Sequence, residues 1–591
     1  MIDSYQKILF DRRAALMITG AGVLTSMLVL QMLHLQIFNR NKYRKLSQNN
    51  IYRVKVEIPR RGIIYARGEV ELARDEQVYR LYIIPKDLAD FDSALDFLTK
   101  SLGLNEKNLA RIRNKRQKQR DFQPILIREK LNWQKMAELS ALNIPGIHIE
   151  QGYARRYPLG EMAAHAIGYL SEPKDSVIPF FKTGRSGLER MYNSPLMGKA
   201  GQIINISNAE GKIIGEDPDQ GFPATPGMPL NTTLIKEVQE KLEQELHKLQ
   251  SGCGVAMDAE TGDVFAIASL PSFNADLFGL EDGEEYIDEL NANPMKPFMN
   301  KVLDGLYPPG SIFKIVVALA GLETGALKPT DKIICRGEWK YGNHLYHCWE
   351  KRGHGPTDLV GALKRSCDIY FYQMSLKIGI EAISSMAQKL GLGKKSFDNY
   401  DESEKAGIVP SREWKEANIG VPWVHGDTII TAIGQGFVLA NCMQLAVMLG
   451  AAITNYRVKP RLTYDKKIVR EFVGLAPQNI SELSRGLQSV LEKGGTAAGS
   501  YINVNGKTMG GKTGTSQVRR ISLEERAAGI RKDSELPWEL RNHGLFVGYA
   551  PASNPKYIVA VVAEHAGGSS IVARAASAVM KELLNVEIQD G

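Results

Sequence analysis

The sequence predicts an α+β protein in which an antiparallel sheet is flanked by helices and joined to an all-helical portion. Three observations predict it. In the second half of the chain, apolar strands come first, helical patterns fill the middle, and strands with an amphipathic helix return at the end. That order describes an antiparallel sheet assembled from both ends around the helical part. At 591 residues the chain is also too long for one hydrophobic core, so more than one folded domain is expected. Finally, Ala14 to Phe38 runs 25 residues without a charge, long enough to span a bilayer.

The elements follow in order. Residues 1–13 read as a cytoplasmic tail and 14–38 as a transmembrane helix. A cleavable signal peptide is the competing reading, but the apolar run exceeds a typical signal core and no small-x-small site follows it. Arg40, Lys42, Arg44 and Lys45 match the positive charge before the span, yet long downstream domains translocate largely regardless of flanking charge. The body is therefore placed outside the cytoplasm. Residues 39–228 read as a mixed α/β N-terminal module: 51–73 alternates β-branched and charged residues around Gly62 and Gly68, and about 87–145 carries helical stripes. The Pro/Gly-rich stretch EDPDQGFPATPGMPLN closes this module. Residues 229–591 form the second domain. It opens with the amphipathic helix LIKEVQEKLEQELHKL and a hairpin, Gly254–Met257 and Val264–Ser269, turning at Thr261–Asp263. Strands return near 545–563, and a helix from Ile571 to Val586 closes the chain.

Composition narrows the function little, and it does not argue for nucleic-acid binding. The net charge of +8 is small for this length, and 43% hydrophobic with 24% charged residues is ordinary. One basic cluster, Arg111 to Arg120, reads as a solvated helix face or as a contact for an acidic partner or anionic headgroups.

The chemistry is concentrated in three motifs. In LYPPGSIFKIVVAL, Pro308, Pro309 and Gly310 precede an apolar helix, placing Ser311 near its N-terminus and Lys314 one turn on. A hydroxyl with an amine on the same face is a nucleophile with a base beside it. Ser366-Cys367-Asp368 follows inside LKRSCDIYFYQ, and Lys512-Thr513-Gly514-Thr515 lies in the strand-like GGKTGTSQV. For Lys314 to act as base its proton must leave near neutral pH, which burial and a neighbouring cation such as Lys512 favour. Ser366 is placed to relay a proton, and Lys512, Thr513 and Thr515 to hold a substrate carboxylate. The backbone N–H groups of Ser311 and Thr515 are expected as oxyanion donors. Gly506–Thr513 also satisfies the phosphate-loop pattern, but a strand-like run follows Lys512-Thr513 where that loop needs a helix.

Ser-x-x-Lys, Ser-x-Asp and Lys-Thr-Gly-Thr in this order resemble the penicillin-binding proteins and serine β-lactamases. PRRGIIYARG, RRYPLGEMAAHAIGY, GRSGLERMYN, YPPGSIFK and WVHGDTIITAIGQG extend the resemblance along nearly the whole chain, to the class B, elongation-type members. It implies a penicillin-binding transpeptidase domain on an N-terminal pedestal. It implies a periplasmic serine D,D-transpeptidase, anchored once in the bacterial cytoplasmic membrane, with no glycosyltransferase domain and no catalytic cofactor. Catalysis would rest on Ser311, Lys314, Ser366, Asp368 and Lys512, with substrate held at Thr513, Gly514 and Thr515. Implied partners are peptidoglycan stem peptides, β-lactam antibiotics, a SEDS-family glycan polymerase and other elongation-complex proteins. Asp368 stands where the family commonly has Asn, Ala66 where it has Asp, and Asn441-Cys442 where it has Thr-Pro. A non-catalytic scaffold and a β-lactam hydrolase are the alternative readings.

Cys335, Cys348, His354 and Cys367 fall within 33 residues. Three thiolates and an imidazole form a zinc set, although no C-x2-C pair is present. Separate buried thiols or one disulfide remain as alternatives, with His344 and His347 as substitute ligands. Cys253 and Cys442 lie in apolar runs and read as core.

Overall fold

The computed structural model describes residues 2–42, 52–173, 178, 180–208, 213–280, 283–397, 400, 403–519, 525 and 531–586. The chain folds into two compact units, residues 1–60 with 198–226 and residues 61–197 with 227–591.

In the first unit, helix α1 (Ile2–Leu33) continues through a wide turn to Phe38. The stretch Arg12–Phe38 is long and apolar enough to cross a membrane and buries none of its surface on the protein. A three-stranded antiparallel sheet completes the unit, Tyr52–Glu57 pairing with Gly201–Ser207, which pairs with Ile213–Glu216.

In the second unit, the long strand Val70–Ile83 takes Ile125–Leu131 and Ile147–Arg156 on its two sides. The segment read as helical over 87–145 therefore contains a strand. Helices Phe91–Leu102, Glu106–Lys118 and Trp133–Leu142 do form around it. Ile125 and Ile127 are drawn into a core with Leu81, Leu95, Leu98 and Ile112, and that tertiary burial overrides the local pattern. The basic run from Arg111 lies on the second of these helices, where Arg111 donates to the Leu126 carbonyl and Arg116 pairs with Asp121. Nearby, Glu189 is fully buried between Arg61 and Arg155, at 2.6 and 2.7 Å, and Arg155 also meets Asp75 at 3.2 Å. Charges taken out of water need such partners.

The large sheet has strand order β2-β1-β5-β4-β3, all antiparallel. These are β1 (Gly252–Asp258), β2 (Val264–Leu270), β3 (Gly510–Ser516), β4 (His543–Ala550) and β5 (Tyr557–Ala563). The strands are apolar on both sides because both faces are covered. One face, with Val255, Met257, Val547 and Tyr549, shares a core with helix α2 (Lys314–Thr324) and helix α3 (Cys442–Thr454). The other, with Ala256, Phe265, Phe546 and Val559, packs on Leu242 and Leu246 of the 236–247 helix and on Val572 and Val579 of helix α4 (Ser569–Asn585). Each fully buried side chain of this size contributes roughly 1.5–3 kcal/mol. Cys253 and Cys442 are both fully buried here. Asn441, where the family has Thr, caps α3 in a reciprocal pair with Gln444, and Ala66 is buried in the short strand Ile64–Ala66.

Candidate active site

The site forms where the turn before α2 meets the edge strand β3. Pro309 cannot continue a helix from the preceding residues, and Gly310 takes φ 53°, so the chain enters a single 3₁₀ turn, Gly310–Phe313, before α2. Ser311 lies in that turn and is half-buried. Backbone docking holds the turn on two sides. The Gly310 N–H donates to the Gly434 carbonyl at 2.9 Å, and a Cβ on Gly310 would stand 2.4 Å from the Thr515 carbonyl oxygen. Only glycine fits so close an approach at a positive φ. Gln435 Nε2 donates to that same Thr515 oxygen at 3.0 Å.

Ser366 adopts a left-handed conformation, φ 52°, rare for a residue with a side chain and typical of functional sites. It lies between the helix Leu359–Lys364, whose N-terminus Asp358 caps, and the helix Asp368–Ile378, separated from them by Arg365 and Cys367. This posture turns its Oγ between two lysines. Lys314 Nζ donates to it at 3.2 Å and Lys512 Nζ at 2.9 Å. Lys314 also donates to the Ser366 carbonyl at 3.0 Å and to Asp368 Oδ1 at 2.7 Å. Its three protons are thus spent on Ser366 and Asp368 rather than on Ser311. Both lysine side chains are fully buried.

The charges of the site centre on one ion pair. One carboxylate serves two lysines, and it sits against Lys314. Burial, and then the charge of Lys314, pull the Lys512 ammonium well below the ordinary lysine range. The depressed amine is the one on the strand, while the one beside the serine is ion-paired.

On β3, Thr515 is exposed and Thr513 is buried. The Thr513 hydroxyl bonds that of Thr496 at 2.9 Å. Gly514 faces the Ser311 turn, where a Cβ would lie 2.8 Å from the Pro309 carbonyl oxygen.

Sequence reasoning missed several partners. Trp349 donates its backbone N–H to Asp368 Oδ2 at 3.0 Å, and its exposed indole donates to the carbonyls of Arg365 and Ser366 at 3.0 and 3.2 Å. Tyr307, four residues before Ser311, donates to Glu564 at 2.9 Å, and Glu564 also holds Lys301 and Ser251. The only signals were an aromatic in CWEKRGHG and a glutamate closing a buried strand.

Cys335, Cys348, His354 and Cys367 converge, with their ligand atoms all within 4.8 Å of one another and the three cysteines buried. His354 Nδ1 faces Cys335 Sγ at 3.6 Å and Cys348 Sγ at 3.5 Å. A hydrogen bond from Cys367, with help from His354, pulls the Cys348 thiol down to about 3, and the same bond with burial drives Cys367 upward. A thiolate-ready donor set of this kind fits zinc. His344 and His347 lie on the adjacent strand His344–His347, outside the converging group. All five cysteines are free thiols.

Residues 252–584 match the model of the penicillin binding protein transpeptidase domain, and 56–232 that of the penicillin-binding protein dimerisation domain. The chain is 30% identical to the peptidoglycan D,D-transpeptidase MrdA of Haemophilus influenzae over 618 residues, covering 98% of this chain and 92% of that one. Its fold is similar to that of PBP2 from Helicobacter pylori, solved in complex with MreC, with a TM-score of 0.78 and 26% identity over 90% of this chain and 99% of that one. A further structure, of a peptidoglycan synthase complex that coordinates polymerization and crosslinking, aligns with a TM-score of 0.70 and 25% identity, covering 98% and 100%. The motif order, the converging lysines and serine, and these matches lead to one conclusion: the chain belongs to the penicillin-binding protein transpeptidase family.

Proposed function

We propose that the chain is a peptidoglycan D,D-transpeptidase of the elongation type, a single-pass membrane protein with residues 39–228 and 229–591 in the periplasm. Ser311 attacks the stem-peptide carbonyl, terminal D-alanine leaves, and an amine on a neighbouring stem resolves the ester into a cross-link. β-Lactams acylate the same serine.

The observation that carries this reading is the sharing of Ser366 Oγ by Lys314 and Lys512 one turn from Ser311. In the free enzyme Lys314 is paired with the Asp368 carboxylate at 2.7 Å. A donor peptide brings a second carboxylate to Lys512, Thr513 and Thr515. The better place for the proton is then Lys512. It moves there through the Ser366 hydroxyl, to which both lysines donate: the hydroxyl takes the proton from Lys314 and passes its own to the Lys512 amine. Lys314, now neutral, takes the Ser311 proton as the nucleophile attacks. The buried, preorganised site makes each of these charge contacts stronger than in water. The backbone N–H groups of Ser311 and Thr515 receive the oxyanion.

Cys335, Cys348, Cys367 and His354 would hold a structural zinc, which would supply no catalytic chemistry and would fix the loop carrying Ser366 and Asp368. A SEDS-family glycan polymerase and further elongation proteins are its partners. This agrees with relatives solved with MreC and in a synthase complex.

Fluorescent penicillin labelling of wild type and Ser311→Ala tests the reading. Stable label on wild type alone is expected. An unlabelled wild type overturns acyl transfer in favour of a scaffold, and rapid release of label indicates hydrolysis instead.

A further inference from the structure

The cysteine cluster is built into the catalytic loop. Cys367 is the residue between Ser366 and Asp368, and Cys348 directly precedes Trp349, whose N–H holds Asp368 Oδ2 at 3.0 Å. Two of the three sulfurs are therefore one residue away from groups that position Lys314. Both stretches are tied in place by backbone bonds: Cys348 N–H to the Gly337 carbonyl at 2.7 Å, and Cys367 N–H to the Ala362 carbonyl at 2.9 Å. A sulfur displaced on either side must drag this framework with it.

We infer that the cluster is a redox gate on the transpeptidase: a peroxide-class oxidant joins Cys348 to Cys367, and the disulfide draws Ser366 and Asp368 away from Lys314. The step balances. The Cys348 thiolate attacks one peroxide oxygen, the O–O bond breaks, and hydroxide leaves. The Cys367 thiolate then attacks the sulfenic sulfur and expels a second hydroxide. Two thiolates lose two electrons, one peroxide gains them, and two protons from solvent complete two waters. Loss of two ligands releases a bound zinc.

Geometry makes the consequence large. Two thiolates on one tetrahedral zinc, with bonds of about 2.3 Å, stand nearly 4 Å apart, whereas disulfide sulfurs lie about 2.05 Å apart. Closing that gap moves loops whose polar contacts with Lys314 are 2.7 to 3.2 Å long. A misplacement of about 1 Å in a catalytic constellation costs up to about 100-fold. Cys348, 6% exposed, is the most open of the three thiols, against 2% for Cys335 and 0% for Cys367, so a small oxidant meets it first. Cys253 and Cys442, at 0% exposure in the sheet core, are shielded from the same reagent.

The inference rests on the transpeptidase reading only through its activity readout. The test treats the detergent-solubilised, zinc-loaded full chain with stoichiometric hydrogen peroxide. Four measurements follow: zinc release to a chromogenic chelator, intact mass, the peptide joining Cys348 to Cys367, and the rate of fluorescent-penicillin acylation. A mass loss of about 2 Da, the Cys348–Cys367 peptide and an acylation rate lowered at least tenfold, restored by dithiothreitol with zinc, are expected. In Cys348→Asp, whose carboxylate is also a zinc ligand, the treated-to-untreated rate ratio stays at one whatever its starting rate. Peroxide that forms no Cys348–Cys367 bond, or forms it with the rate unchanged, overturns the gate. A chain that takes up no zinc removes the metal reading alone, because the cross-link and rate still decide the gate. A wild type that never labels removes the transpeptidase reading, while the cross-link still reports on the cluster.

Discussion

The backbone N–H of Trp349 donates to Asp368 Oδ2 while the other carboxylate oxygen, Oδ1, receives Lys314. The carboxylate is thus fixed by a main-chain group from one loop and presents its second oxygen to Lys314 on a different element. Orientation comes from backbone, and charge from the side chain.

Asp368→Asn removes the charge and leaves one acceptor oxygen, so it keeps the bond from the Trp349 N–H or the one from Lys314 but not both. Without the carboxylate the lysine pair releases its proton more easily, so the acid limb of the acylation rate moves to lower pH. A shift of about 1–2 pH units is expected. Stopped-flow acylation of both proteins between pH 5 and 9 measures it, and coincident profiles would remove Asp368 from control of the base.

The Thr496–Thr513 hydroxyl pair, 2.9 Å apart, holds one of the two threonines proposed to bind the substrate carboxylate. Thr496→Val deletes one neutral hydrogen bond, worth about 1 kcal/mol. The apparent affinity for donor peptide or β-lactam is expected to fall roughly five-fold, with the first-order acylation step little changed. A drop confined to that step would instead give Thr496 a part in the chemistry.

Gly434 sits at φ 71°, where a Cβ would lie 2.1 Å from the Gly310 carbonyl oxygen. Gly434→Ala must push the nucleophile turn off its support. Acylation is expected to fall about 100-fold, with a far smaller change in melting temperature. Equal damage to both would make the contact one of general stability.

Glu243 lies half-buried near Glu161 and Glu240, and its carboxylate accepts from the Ala163 N–H and from Gln239, both at 2.8 Å. Burial raises it from 4.5 to about 7. The native state therefore binds more protons than the unfolded chain between those values, and stability falls as pH rises through that window, by up to about 3 kcal/mol. Glu243→Gln retains an acceptor and is expected to melt higher than wild type at pH 8, with the slope across the window lost. Paired thermal melts at pH 5 and pH 8 decide it.

Legibility in the sequence followed locality. Ser311, Lys314, Ser366 and Lys512 could be named because each stands in a short motif whose spacing carries its chemistry. The hairpin opening the second domain and the closing helix were readable for the same reason, since their patterns repeat within a few residues. Trp349 on Asp368, Thr496 on Thr513 and Tyr307 on Glu564 join positions 19, 17 and 257 residues apart, and no local period announces such pairs. The strand Ile125–Leu131 was hidden in a helical neighbourhood because its pairing with Val70–Ile83 is made by the fold. The distribution of charge between the two lysines depended on which of them Asp368 reaches, and that is a distance, absent from any motif.

The order of strands in the large sheet sets a timetable for the molecule. Strand β1, near residue 255, is hydrogen-bonded on one side to β2 and on the other to β5, and α4 then covers the face that both expose. During synthesis the Ser311 turn emerges more than 200 residues before β5 and α4 arrive to close the sheet beneath it. A nascent chain thus carries every motif of the reaction while lacking the platform that aligns them. Cross-linking power is acquired only as the last strand is seated, and a chain stalled or clipped before that point is chemically silent.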